Sequence, residues 1–124
     1  MKLNHVAMVA RSQENADRFY EGILQLTKIK TSMLTSDLAR KIFGLEVECP
    51  LILYGNEAFA IEIFVTERIP VSRSPFAHTC LQVEDREAFI KTCRSAGATV
   101  NLIPRGEWQL CFVRDFDGNL FEIK

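Results

Sequence analysis

The chain has 124 residues, 48% of them hydrophobic and 25% charged, with a formal net charge of -1. That length and composition suit one globular domain with a buried core, and the near-neutral balance carries no basic footprint for nucleic acid or an anionic membrane. No apolar run reaches the ~18 residues of a membrane span, and the N-terminus lacks the charged-then-apolar layout of a signal peptide, so a cytoplasmic protein with a small-molecule partner is expected.

The first predicted strand is KLNHVAMVA, where alternation places Leu3, His5, Ala7 and Val9 on one face and Val6 and Met8 on the other. Ser12 is a plausible cap for a helix in which Ala16, Phe19, Tyr20, Ile23 and Leu24 recur at helical spacing. Strands are predicted over 26–33, 47–54 and 59–66, the last two joined by a turn at Tyr54-Gly55-Asn56-Glu57. Between the second and third strands, residues 35–44 read as an extra short helix capped by Ser36, with Leu38, Ile42 and Phe43 apolar. It is expected either to plug one end of the sheet or to form a lid over a site.

A polar connection bounded by Pro70 and Pro75 divides the chain, giving a first module over about 1–69 and a second over about 76–124. After it the order recurs. A strand is predicted over 76–84, a helix over 85–96 with Phe89, Ile90 and Cys93 facing inward and Gly97 behind it, and strands over 98–103, 108–114 and 120–124. The last two are joined by the turn-rich Asp115-Phe116-Asp117-Gly118-Asn119. Cys49, Cys80, Cys93 and Cys111 form no CxxC and read as reduced thiols. The fold class is thus α+β, two β-α-β-β-β modules within a single domain over 1–124.

Each module opens with a histidine and closes with a glutamate. His5 and Glu62 are 57 positions apart and His78 and Glu122 are 44, a mismatch that falls mostly on the inserted segment 35–44. Glu62 is flanked by Ile61 and Ile63, and Glu122 by Phe121 and Ile123, so the apolar neighbours claim the helix-covered face and the carboxylates point the other way. A buried carboxylate needs a counter-charge, and no same-face arginine or lysine stands beside Glu62 on its strand. Imidazole and carboxylate suit Zn, Ni, Co, Mn or Fe, so His5, Glu62, His78 and Glu122 are the expected ligands of one divalent ion. Parity also places Cys80 with His78, Ala7 with His5 and Phe64 with Glu62. It leaves open whether Trp108 and Phe112, or Gln109 and Cys111, face a substrate.

The HVAMVA opening, the AHTCLQV opening of the second module and the FVRDFDGNLFEI ending resemble the vicinal oxygen chelate superfamily, which includes glyoxalase I, methylmalonyl-CoA epimerase, extradiol dioxygenases and fosfomycin and bleomycin resistance proteins. The resemblance spans nearly the whole chain apart from the insertion. It implies a curled, barrel-like mixed sheet, one metal held by the first and last strands of each module, and pairing into a homodimer. It implies a metal-dependent lyase or isomerase acting on a small carbonyl substrate through an enolate-like intermediate, with Glu122 or Glu62 as the catalytic base. Two alternatives accompany it: epimerisation next to a thioester carbonyl, and a non-catalytic antibiotic-binding or resistance protein. Glyoxalase I carries an arginine where this chain has Val9, which counts against a glutathione substrate. The second acid of the epimerases corresponds loosely to Glu46 or Glu48, for which a solvated charge is the plainer reading.

Overall fold

The structure, a computed structural model, describes residues 1–71 and 74–124. The chain is α+β and divides into two compact units, Met1–Val71 and Ser72–Lys124. The connection expected over 70–75 includes Ser72 and Arg73, which lie outside the described residues. Among the described residues no helix is long and apolar enough to cross a membrane.

The first unit contains β1 (His5–Ala10), α1 (Gln13–Ala16), β2 (Thr27–Leu34), α2 (Ser36–Phe43), β3 (Cys49–Gly55) and β4 (Ala60–Val65). Its sheet has the order β1-β4-β3-β2, with β1 parallel to β4 and the other neighbours antiparallel. Ser12 caps α1 as expected, its Oγ accepting from Asn15 N at 3.2 Å. The helix then departs from expectation, because residues Asp17–Glu21 widen into a π-helical turn in which Gly22 N donates to Asp17 O and Leu24 N to Phe19 O. A Cβ on Gly22 would collide with the Arg18 carbonyl oxygen. Phe19 and Tyr20 are both fully buried here, and Tyr20 stacks on Tyr54 with centroids 5.3 Å apart. They cover the sheet face formed by Ile52, Tyr54, Ile61 and Ile63, all of them solvent-free.

The inserted segment is a helix, but Thr35 rather than Ser36 caps it, with Thr35 Oγ1 accepting from Leu38 N at 3.4 Å. Thr35 is the last extended residue after β2, so its hydroxyl faces the free N–H groups of the first turn. Gly44 ends the helix at φ 68, a left-handed conformation in which a side chain would be strained.

The second unit repeats the plan with β5 (Thr79–Leu81), α3 (Arg86–Ser95), β6 (Thr99–Arg105), β7 (Trp108–Arg114) and β8 (Leu120–Ile123). Its sheet order is β5-β8-β7-β6, again with the first pair parallel. Asp85 caps α3 through Ala88 N at 2.9 Å, and Cys93 packs from α3 into a core with Cys111, Val113, Phe121 and Ile123. The strand expected over 76–84 is shorter, only Thr79–Leu81. Ala77 N is tied back to Ser74 O in a turn and Phe76 is left exposed, while β8 offers a short parallel partner extended by the bonds Lys124 N to Leu81 O and Val83 N to Lys124 O. The β7–β8 turn is held by Asp115, whose Oδ1 accepts from the backbone of Asp117, Gly118 and Asn119.

Candidate metal-binding pairs

In the first unit, β1 and β4 run parallel with Ala7 opposite Glu62. His5 lies two residues before Ala7 and therefore on the same face, and its Nε2 stands 3.6 Å from Glu62 Oε2. Ile61 and Ile63 are fully buried on the opposite face, as the alternation requires. Phe64 and the β3 residues Leu51 and Leu53 share the face of Glu62.

The second unit builds the same motif. Cys80 lies opposite Glu122 on the parallel β5–β8 pair, His78 lies two residues before Cys80, and His78 Nε2 stands 3.7 Å from Glu122 Oε2. His78 precedes β5 instead of lying within it, and a different contact orients it: its Nδ1 is 2.9 Å from the carbonyl oxygen of Phe76. A carbonyl only accepts, so Nδ1 carries the hydrogen, and in the neutral ring Nε2 presents its lone pair toward Glu122. The edge of the ring meets Phe112 at 5.8 Å. Phe112 is paired with Glu122, so Trp108 and Phe112 share the glutamate face by parity, and Cys111 is buried on the α3 side.

A nitrogen–oxygen separation of 3.6 or 3.7 Å is too long for a strong hydrogen bond. Two ligands bound at about 2.1 Å to one ion and about 90–110° apart are themselves separated by about 3.0–3.4 Å. Both pairs thus approximate one edge of a coordination polyhedron, and small side-chain rotations would close the difference. The donor chemistry also fits: one imidazole nitrogen and one carboxylate oxygen per pair, with about a quarter or less of each glutamate side chain exposed. Within either unit, among the described residues, no group of three or more His, Cys, Asp or Glu side chains is placed to hold an ion.

Among the described residues, the second pair has two further neighbours, Lys124 and Cys80. Lys124 Nζ is 3.7 Å from Glu122 Oε1, a counter-charge that the two-residue spacing makes legible. Cys80 is exposed, and desolvation and then the charge of Glu122 push its thiol above its usual range, with Lys124 pulling the other way. Of the looser candidates, Glu46 and Glu48 are exposed, and Glu46 stands 3.7 Å from Arg40. Phe64 meets Phe43 of α2 edge to face at 5.6 Å, which places the inserted helix on the Glu62 face of the first sheet.

Comparison with known proteins gives a consistent picture. The model of the Glyoxalase/Bleomycin resistance protein/Dioxygenase superfamily matches residues 2–123. No curated protein matches the chain. Among solved structures, a glyoxalase family protein from Enterococcus faecalis is similar with a TM-score of 0.75 at 19% identity, over 98% of this chain and 95% of that one. A mutant of the fosfomycin resistance protein FosX from Listeria monocytogenes, in complex with Mn(II) and 1S,2S-dihydroxypropylphosphonic acid, is similar with a TM-score of 0.71 at 16% identity, over 98% and 86% of the two chains. FosX from Mesorhizobium loti gives 0.67 at 18% identity, over 98% and 88%.

Proposed function

Because this chain belongs to the Glyoxalase/Bleomycin resistance protein/Dioxygenase superfamily and builds one His–Glu pair twice, we propose that it is a divalent-metal-dependent lyase or isomerase acting on a small carbonyl substrate. The observation that carries this reading is the register. In both units the histidine lies two residues before the position opposite the glutamate, and the donor atoms are 3.6 and 3.7 Å apart. His5, Glu62, His78 and Glu122 are the proposed ligands of one ion of the Zn, Ni, Co, Mn or Fe type, with both units forming one domain over 1–124 and the protein acting as a homodimer. The single family model running from residue 2 to 123 supports the one-domain reading.

When bound, the ion supplies Lewis-acid polarisation of a substrate oxygen. The chain's own residues do the rest. Glu122 is the proposed base: Oε2 is turned to His78, and Oε1, which faces Lys124 Nζ at 3.7 Å, would take the proton from the carbon beside the carbonyl. The resulting carbanion is enolate-like. The Nδ1–H of His78, held by Phe76 O, keeps the ring from swinging away, and Phe112 shields one side of it. Glu62 is the second candidate for the base.

The test is hydrogen exchange in deuterated water. Protein loaded with each of the named metals is offered a panel of small α-hydroxy ketones, hemithioacetals and acyl thioesters, and loss of the α-proton signal is followed by NMR. Exchange that vanishes in Glu122→Gln while ligand binding persists supports the enzyme. Exchange confined to the thioesters would make it an epimerase-like enzyme, and a tight ligand that never exchanges would make it a sequestering or resistance protein.

A further inference from the structure

Strand β7 pairs with β6 along its whole length but with β8 only from Phe112 to Arg114. Its first residues therefore run on past the β8 ladder and leave a cleft of about 590 Å³ at the end of the second sheet. That size is ordinary for a small-molecule site. Arg86, Arg105 and Lys124 line it together with Trp108, Leu110 and Glu122, so three cations face one carboxylate around an apolar floor.

The cations are not equally committed. Lys124 stands 3.7 Å from Glu122. Arg86 Nη2 donates to Gln109 O at 2.6 Å, taking a carbonyl that the shortened ladder leaves open. Arg86 Nε is buried with no hydrogen-bond partner among the described residues, while its guanidinium also meets the buried Cys111 thiol, so Arg86 forms the inner edge of the cleft. Arg105 has no partner among the described residues and is exposed at the end of β6. Glu122 joins this wall to the His78 pair.

We propose that the cleft binds the anionic head of the substrate, which makes the substrate a small organic acid with a carboxylate or phosphate group on a short apolar body. Guanidinium groups present fixed, paired donors to both head groups, while Trp108 and Leu110 cover the hydrocarbon. The assignment rests on the reading above only in placing Glu122 at the reacting end.

Trp108 is the single tryptophan of the chain and lines the cleft, so its fluorescence serves as the reporter, with calorimetry as a readout independent of it. Metal-free protein is titrated with butyl phosphate, pentanoate and butanol, which separate a phosphate head, a carboxylate head and the apolar body alone. At least one acid is expected to bind about tenfold or more tighter than butanol, and Arg105→Gln is expected to weaken it about fivefold. Arg105→Lys should restore part of the loss, and added salt should weaken binding throughout. Equal binding of butanol and both acids by calorimetry, or acid affinity indifferent to Arg105→Gln, overturns the inference. Zn(II) uptake is measured separately on the same protein. Uptake of metal without the acid overturns this inference alone, whereas acid binding without metal upholds it and overturns the proposed metal chemistry.

Discussion

Cys80 stands opposite Glu122 across the β5–β8 pair, in the place that Ala7 holds opposite Glu62. A thiol two residues from a histidine and beside a carboxylate is chemically able to join a metal site, but only as the thiolate. In the metal-free chain desolvation and the Glu122 charge raise its pKa, and the first unit makes its pair with a methyl group in the same position. Cys80→Ala is therefore expected to change Zn(II) or Mn(II) affinity by less than about threefold, against a loss of tenfold or more for His78→Ala. Calorimetric titration checks both, and a large loss in Cys80→Ala would make the thiol a ligand.

Removing metal should have a signature in stability. If the two pairs share an ion, chelation removes its positive charge from both carboxylates and leaves Glu122 with Lys124, and rebinding stabilises the fold by mass action, by about 2.7 kcal/mol at a hundredfold excess over Kd. Glu62→Gln keeps the shape and removes the charge. The apo protein carrying it is expected to melt at or above the wild-type temperature, while the rise in Tm on adding metal shrinks. Scanning calorimetry with and without chelator reads both. A badly destabilised apo Glu62→Gln would show that the carboxylate is structural.

Strand parity explains how much of the site was legible in the sequence. Ile61, Ile63, Phe121 and Ile123 are so apolar that they fix which face of β4 and β8 is buried, and Glu62 and Glu122 follow from alternation. The repeated β-α-β-β-β order was legible for the same reason. Local choices between near-equal alternatives were not. Thr35 and Ser36 are adjacent and both able to cap, and the end of β2 at Leu34 decides between them. The π turn leaves no periodic trace, since one extra residue per turn looks like noise in a 3.6-residue pattern. The Phe76 carbonyl that orients His78, and the Gln109 carbonyl taken by Arg86, are backbone partners with no side-chain signal. Lys124 could have been found, lying two residues from Glu122 just past the end of β8.

The back of the first sheet carries its own charge network, and it contributes to the pH dependence of the fold. Tyr54 Oη donates to Asp17 Oδ1 at 2.6 Å, and Lys28 Nζ lies 2.8 Å from the same oxygen and 3.4 Å from Glu21. Burial pushes the Asp17 carboxyl up, but the hydrogen bonds from Lys28, Tyr54 and Gln13 outweigh it and leave it below its ordinary value of 3.8. The unfolded carboxyl then binds its proton more readily than the folded one. This contribution is present above about pH 4 and is lost as pH falls through the lower folded value. Lys28, held mainly by Asp17, is raised above 10.5, and Tyr54 is pushed well above 10 by burial and Asp17. Those contributions are present below about pH 10 and are lost at higher pH. Tyr54→Phe should cost about 1–2 kcal/mol at neutral pH and move the acid limb of a Tm–pH profile upward. A limb that does not move would remove Asp17 from the account.

Helix α2 both packs and exposes apolar surface on the face that carries Glu62. Ala39 is fully buried in a cluster with Leu34, Val47 and Cys49, and Phe43 rests on Phe64, which accounts for its hold on the sheet. Leu38 and Ile42, one turn apart, are 46% and 60% exposed, more than packing alone would ask of them. Phe43→Ala, losing a half-exposed ring and its aromatic contact, is expected to cost about 1–2 kcal/mol in chemical denaturation. Ile42→Ser should change stability by no more than about 0.5 kcal/mol. If α2 closes over a substrate, Ile42→Ser should raise KM several-fold for substrates with an apolar body while leaving kcat nearly unchanged, because the lost contact is made equally in the ground and transition states. A variant with unaltered KM across substrates of increasing chain length would reduce α2 to a plug at the end of the sheet.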